Sequence, residues 1–304
     1  MQYMLKWHWM IKGILRGRTP WRVPFQYLNC RMNNQIEIRW VENPSSGIKL
    51  RTYLHFPGKG PLKEPLPAII LIPGAILPGA FFNWTGEADI LAGQGFIVIH
   101  WDPEGRGDSK GEENYGGFIH QDGLQAVLKN MVARPDIDSR KIGIVSFSYG
   151  NTFSGGITRY PHEPAIRFWI DWEGPSDRKS IEKPLLADSN RPHLLLHDLK
   201  DDLYWEQRES IRFLRNLSCP YLRIQGNHDH AQPDLEHCIQ CINAATPKIH
   251  GGEGQSPWTR VNGPEDNPMN RTYSLIDSPV CYNGPPGKWV IDRVAAYASE
   301  LLSL

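Results

Sequence analysis

Ser148 stands where a chain can put one hydroxyl to chemical use. The stretch Ile142-Gly143-Ile144-Val145-Ser146-Phe147-Ser148-Tyr149-Gly150-Asn151 is an apolar, β-branched run that ends abruptly in small residues around a central Ser. Such a run turns sharply from strand into helix and holds the hydroxyl out at the tip. This is the nucleophile elbow G-x-S-x-G, here Ser146-Phe147-Ser148-Tyr149-Gly150. The turn strains the backbone of Ser148 and crowds the positions two residues to either side, where Ser146 and Gly150 are small enough. A Ser hydroxyl is a weak nucleophile at neutral pH and needs a base to take its proton. A helix opening after Ser148 would aim backbone N–H groups and its dipole at the reacting centre.

A second group of residues could do different chemistry. His228, His230, His237, Cys238 and Cys241 lie close together in the chain, and the two Cys would share one face of a helix over 234–243. A soft metal ion could be held there. A second Cys-x-x-Cys is missing, so buried helix cysteines are the simpler account, and no metal or cofactor is expected.

The elements that must position these residues follow from the rest of the chain. At 304 residues it can bury a large α/β core. Lys plus Arg number 33 and Asp plus Glu 33, so there is no overall basic field for a nucleic acid, and no nucleic-acid partner is expected. Five scattered Cys fit a reducing, cytoplasmic setting better than a disulfide scaffold. Residues 1–28 read as an N-terminal extension mixing Met, Trp, Leu and Ile with Lys6, Lys12, Arg16 and Arg18. It is too interrupted to span a bilayer and lacks a signal-peptidase pattern. It reads as a helix packed on the body, or as a basic amphipathic contact to a membrane or partner.

Residues 35–41 and 48–56 alternate apolar and polar side chains around a Pro/Ser/Gly turn, which predicts an antiparallel pair. The apolar runs 68–72, 95–101, 141–146, 166–172 and 221–225 read as strands buried on both faces. Helical patterns at 87–93, 121–134 and 288–302 separate or close them. Strand and helix in alternation imply a mostly parallel, twisted sheet covered on both faces, in one domain over 29–304. The polar segment of about 176–218 follows the strand after the elbow and would overhang the site as a helical lid.

Four motifs in order carry a resemblance to a known family. They are Ile72-Pro73-Gly74-Ala75, Asp102-Pro103-Glu104-Gly105-Arg106-Gly107-Asp108-Ser109, the elbow, and Gly226-Asn227-His228-Asp229 after the run 221–225. Across about residues 35–302 the chain resembles the α/β-hydrolases, in particular their prolyl-oligopeptidase and dienelactone-hydrolase branches. The resemblance implies an α/β-hydrolase fold, with Ser148 as nucleophile and Asp229 as the acid that orients a His. It also implies that the Ala75 and Tyr149 amides form the oxyanion hole.

The base departs from the family's pattern. It should follow the last strand, yet 251–304 contains no His and offers Asn262, Asn267, Asn270 and Asn283. An amide cannot take the Ser proton at neutral pH. His250, freed by the Gly-Gly that follows it, is the favoured base. His228 or His230 could turn inward, although adjacency to Asp229 makes the relay awkward. The resulting expectation is a serine hydrolase of a carboxylic ester or small amide, its acyl pocket shaped by lid residues such as Trp205. The competing reading is a degenerate binding protein on the same fold.

Overall fold

The computed structural model describes residues 35–58, 60, 62–160, 166–187, 197–263, 265–283 and 288–304. The N-terminal extension, 1–28, lies outside them. Eight strands form one sheet: β1 (Gln35–Glu42), β2 (Lys49–Phe56), β3 (Leu66–Ile72), β4 (Ile97–Trp101), β5 (Ile137–Phe147), β6 (Phe168–Trp172), β7 (Tyr221–Ile224) and β8 (Thr259–Val261). Their order is β1-β2-β4-β3-β5-β6-β7-β8. β1 pairs antiparallel with β2, and β2 antiparallel with β4, while every pairing from β4 to β8 is parallel.

Helices cover both faces of the central parallel strands, because strands this apolar cannot leave either face in water, while β1 at the edge stays largely exposed. On one side lie α1 (Phe81–Thr85), α2 (Glu87–Ala92) and the closing helix α9 (Lys288–Ser303). Phe81, Phe82, Leu91, Ile291, Val294 and Leu301 seal that layer. On the other side lie α3 (Phe118–Val132), α4 (Asn151–Thr158), α7 (Ser210–Leu214) and α8 (Glu236–Ala245). There Leu124, Leu128, Phe153, Leu214, Cys238 and Ile242 fill the core. The segment after β6 holds α5 (Arg178–Ala187) and α6 (Asp202–Glu206) before α7.

The sequence patterns place most elements to within a few residues, and they miss α1 and β8. β8 has only three residues, too few for a periodic signal. Among the described residues, no helix is long and apolar enough to cross a membrane.

Candidate active site

β5 ends at Phe147, and the next residue, Ser148, takes φ 52° before the chain enters a 3₁₀ turn and α4. The fit around this turn is close. A Cβ added at Gly150 would lie 2.6 Å from the Pro73 carbonyl oxygen, so only Gly lets the elbow pack on the β3 loop. Ser146, where the motif usually has Gly, uses its hydroxyl: Oγ donates to Asp171 Oδ1 at 3.0 Å and accepts from Trp169 Nε1 at 2.8 Å. Asn151 donates to the Pro175 carbonyl at 2.7 Å, tying α4 to the loop after β6.

The side chain that meets Ser148 is His230. Its Nε2 lies 2.7 Å from Ser148 Oγ, and its Nδ1 lies 2.8 Å from Glu173 Oε2. With the proton on Nδ1 facing the carboxylate, Nε2 keeps a lone pair for the Ser proton. Trp172 stacks on the imidazole, with ring centroids 4.6 Å apart. Glu173 is the residue just after β6, with φ 47°. Its Oε2 also accepts from the His230 amide at 3.1 Å, and Oε1 accepts from the Gly226 amide at 2.8 Å and from Tyr282 OH at 3.1 Å. Left-handed backbone at a non-glycine costs about 1–3 kcal/mol and persists only where its surroundings enforce it. Ser148, Glu173 and Ala75 all carry it.

His250 is not brought to Ser148. It ends a 3₁₀ turn after α8, exposed to solvent. The reason is topological: α8 carries the chain back from the C-terminal edge of β7 to the N-terminal edge of β8, and Ser148 sits at the C-terminal edge of β5. His228 is also exposed. Where a base would follow β8, Asn262 brackets β7 instead, accepting from the Gln225 amide at 3.0 Å and donating to its carbonyl at 3.1 Å. Asn267 donates to the Val261 and Val280 carbonyls, both at 2.8 Å, and so shapes the loop that delivers Tyr282 to Glu173.

Asp229 lies beside these three side chains. Its Oδ1 accepts from the Ala231 and Gln232 amides at 2.7 and 2.8 Å and stands 3.5 Å from His230 Nδ1. Its Oδ2 accepts from Gln225 Nε2 at 2.9 Å and from His237 Nε2 at 3.0 Å. Burial works to raise its pKa, but the His237 hydrogen bond and the nearby His230 outweigh that and hold it well below the usual carboxylate range. Glu173 makes the shorter bond to His230. A single Glu among many polar residues carries no motif, whereas a Glu ending a run buried on both faces was a usable sign.

The Ala75 loop approaches Ser148 through Gly74, where a Cβ would lie 3.1 Å from that of Ser148. Arg106 holds this loop: Nη1 donates to the Ala75 carbonyl at 2.9 Å, while Nε and Nη2 grip Glu113 at 2.6 and 2.8 Å. The Tyr149 amide opens the turn after Ser148, where backbone N–H groups lack helical partners. The Tyr149 ring packs with Ile181, Leu185 and Trp205 from the segment after β6, and its hydroxyl donates to the Tyr115 carbonyl at 2.7 Å. The His/Cys set drawn from the sequence does not assemble. Cys238 and Cys241 are fully buried in the core, their thiols pushed up to about 12, chiefly by that burial.

Sheet order, elbow and flanking helices are those of the α/β-hydrolase fold, and the chain is similar to solved structures of that superfamily. An esterase of Pyrococcus furiosus superposes with TM-score 0.62 at 13% identity, covering 94% of this chain and 96% of that one. Est1E of Butyrivibrio proteoclasticus, solved with ferulic acid, gives 0.61 at 16%, covering 88% and 100%. A puromycin-hydrolyzing peptidase of Mycobacterium tuberculosis gives 0.63 at 15%, covering 88% and 39%. In sequence, the chain is 25% identical over 207 residues to the uncharacterized peptidase YuxL of Bacillus subtilis. That match takes in 62% of this chain and spans only 29% of the relative's length. No protein-family model matches the chain.

Proposed function

We propose that the protein is a serine hydrolase that cleaves a carboxylic ester or small amide. Ser148 attacks the acyl carbon while His230 takes its proton at Nε2, and Glu173 stabilises the imidazolium. His230 then gives that proton to the leaving group, and a water activated by the same His releases the acyl group from Ser148. The Ala75 and Tyr149 amides face the oxyanion, each such donor being worth about 3–4 kcal/mol in the transition state. Acyl specificity falls to the apolar cap of Tyr149, Ile181, Leu185 and Trp205. The observation that carries this reading is the unbroken chain Ser148 Oγ, His230, Glu173 at 2.7 and 2.8 Å.

The test is labelling with a fluorophosphonate, read by intact mass. Wild type and His250→Ala should gain one adduct, whereas Ser148→Ala and His230→Ala should gain none. Labelling that survives Ser148→Ala would sink the proposal. A well-folded wild type that never labels, yet binds acyl compounds saturably, would support the degenerate binding protein.

A further inference from the structure

We propose that His230 works between two acids, with Glu173 as its hydrogen-bonded partner and Asp229 as a second carboxylate. Asp229 favours the imidazolium through space and accepts the Nδ1–H bond when Glu173 is removed. The inference rests on the hydrolase reading above and concerns the same His.

Three observations carry it. The first is distance: Nδ1 lies 2.8 Å from Glu173 Oε2 and 3.5 Å from Asp229 Oδ1, so a small tilt of the ring exchanges one acceptor for the other. The second is burial. The Glu173 and Asp229 side chains are 1% and 2% exposed, so little water screens either charge from the ring. The third is the company Asp229 keeps. Its four hydrogen-bonding neighbours, the Ala231 and Gln232 amides, Gln225 Nε2 and His237 Nε2, can all donate. A shell of donors favours the anion over the neutral acid.

The other groups facing the ring supply no competing charge. Tyr282, from the loop after β8, donates its hydroxyl to Glu173 and carries no charge, its pKa being raised by burial. Cys281 on the same loop has its thiol pushed up to about 12 by burial and stays neutral. Burial lowers the pKa of His237 on α8, so it donates as a neutral ring. Arg223 on β7 spends its guanidinium on Asp171 at 2.7 Å and on Gln225.

Asp229 acts through His230 and is a positioning residue, so the test must read more than loss of rate. It is the pH profile of kcat/KM on p-nitrophenyl acetate for wild type, Asp229→Asn, Glu173→Gln and the double variant. Asparagine keeps an oxygen for the Ala231 and Gln232 amides, so the turn survives. Loss of the nearby charge should move the acid limb of the profile down by about one pH unit. Glu173→Gln should lose about 10²-fold, and the double variant about 10⁴-fold, the loss seen when a triad acid has no understudy. The inference is overturned if Asp229→Asn leaves the limb unmoved and the double variant is no worse than Glu173→Gln. Should Asp229→Asn fail to fold, Glu173→Gln decides alone: a residue of about 1% activity supports the second acid, and a full 10⁴-fold fall overturns it. Wild type that neither labels with fluorophosphonate nor turns over the ester overturns the hydrolase reading and this inference with it.

Discussion

At the scale of single residues, the site is a set of side chains each held by another. Tyr282 donates to Glu173 Oε1, and Trp172 Nε1 donates in turn to the Tyr282 hydroxyl at 3.2 Å. Tyr282→Phe removes that support without opening a cavity. A hydrogen bond to a charged group is worth about 1.5–3 kcal/mol net, so kcat/KM should fall about 10-fold to 100-fold. Steady-state kinetics against an unchanged melting temperature checks this. His250→Ala, altering an exposed turn, should leave kcat/KM within about twofold and stability within about 0.5 kcal/mol.

At the scale of elements, the loop after β3 is shaped by a motif three elements further along the chain. Ala75 takes φ 47°, and Arg106 from the turn after β4 pins its carbonyl while gripping Glu113. Arg106→Ala leaves Glu113 without its cation and frees the strained loop. A loss of about 3–5 kcal/mol is expected for breaking a buried pair of this kind, together with a fall in kcat larger than any rise in KM. Urea unfolding and a kcat-against-KM comparison read the two parts separately. Gly150→Ala should disrupt the elbow itself, because its methyl would meet the Pro73 carbonyl oxygen at 2.6 Å. That variant should lose fluorophosphonate labelling even where circular dichroism shows a native fold.

At the scale of the whole molecule, two buried imidazoles, His100 on β4 and His120 on α3, link folding to pH. Burial, with His55 alongside, pushes the His100 pKa well below 6.5, and burial with Arg106 nearby lowers that of His120 to about 3. Both are neutral when folded and protonate near pH 6.5 when unfolded, so the unfolded chain binds more protons in acid. Their contribution to stability is complete above pH 6.5 and is lost progressively as pH falls below it, continuing to about pH 3 for His120. For His120 this costs about 2 kcal/mol at pH 5, and His100 adds to the loss in the same direction. Urea midpoints between pH 7 and pH 5 should fall accordingly, and a flat profile would refute the assignment.

The chain's own order of residues determined the strands, the elbow and the Pro73-Gly74-Ala75 turn, because these depend on local periodicity and on small residues next to one another. Ser146-Phe147-Ser148-Tyr149-Gly150 needs no distant partner to be recognised as a sharp turn. The proposed base and acid belong to tertiary structure. His230 follows β7 and Glu173 follows β6, and only the parallel pairing of β5, β6 and β7 lines their C-terminal ends beside Ser148. His250 has the freer neighbours in sequence, yet it follows a helix that returns to the far edge of the sheet. Strand direction decides which histidine meets the serine, and direction is a property of the assembled sheet.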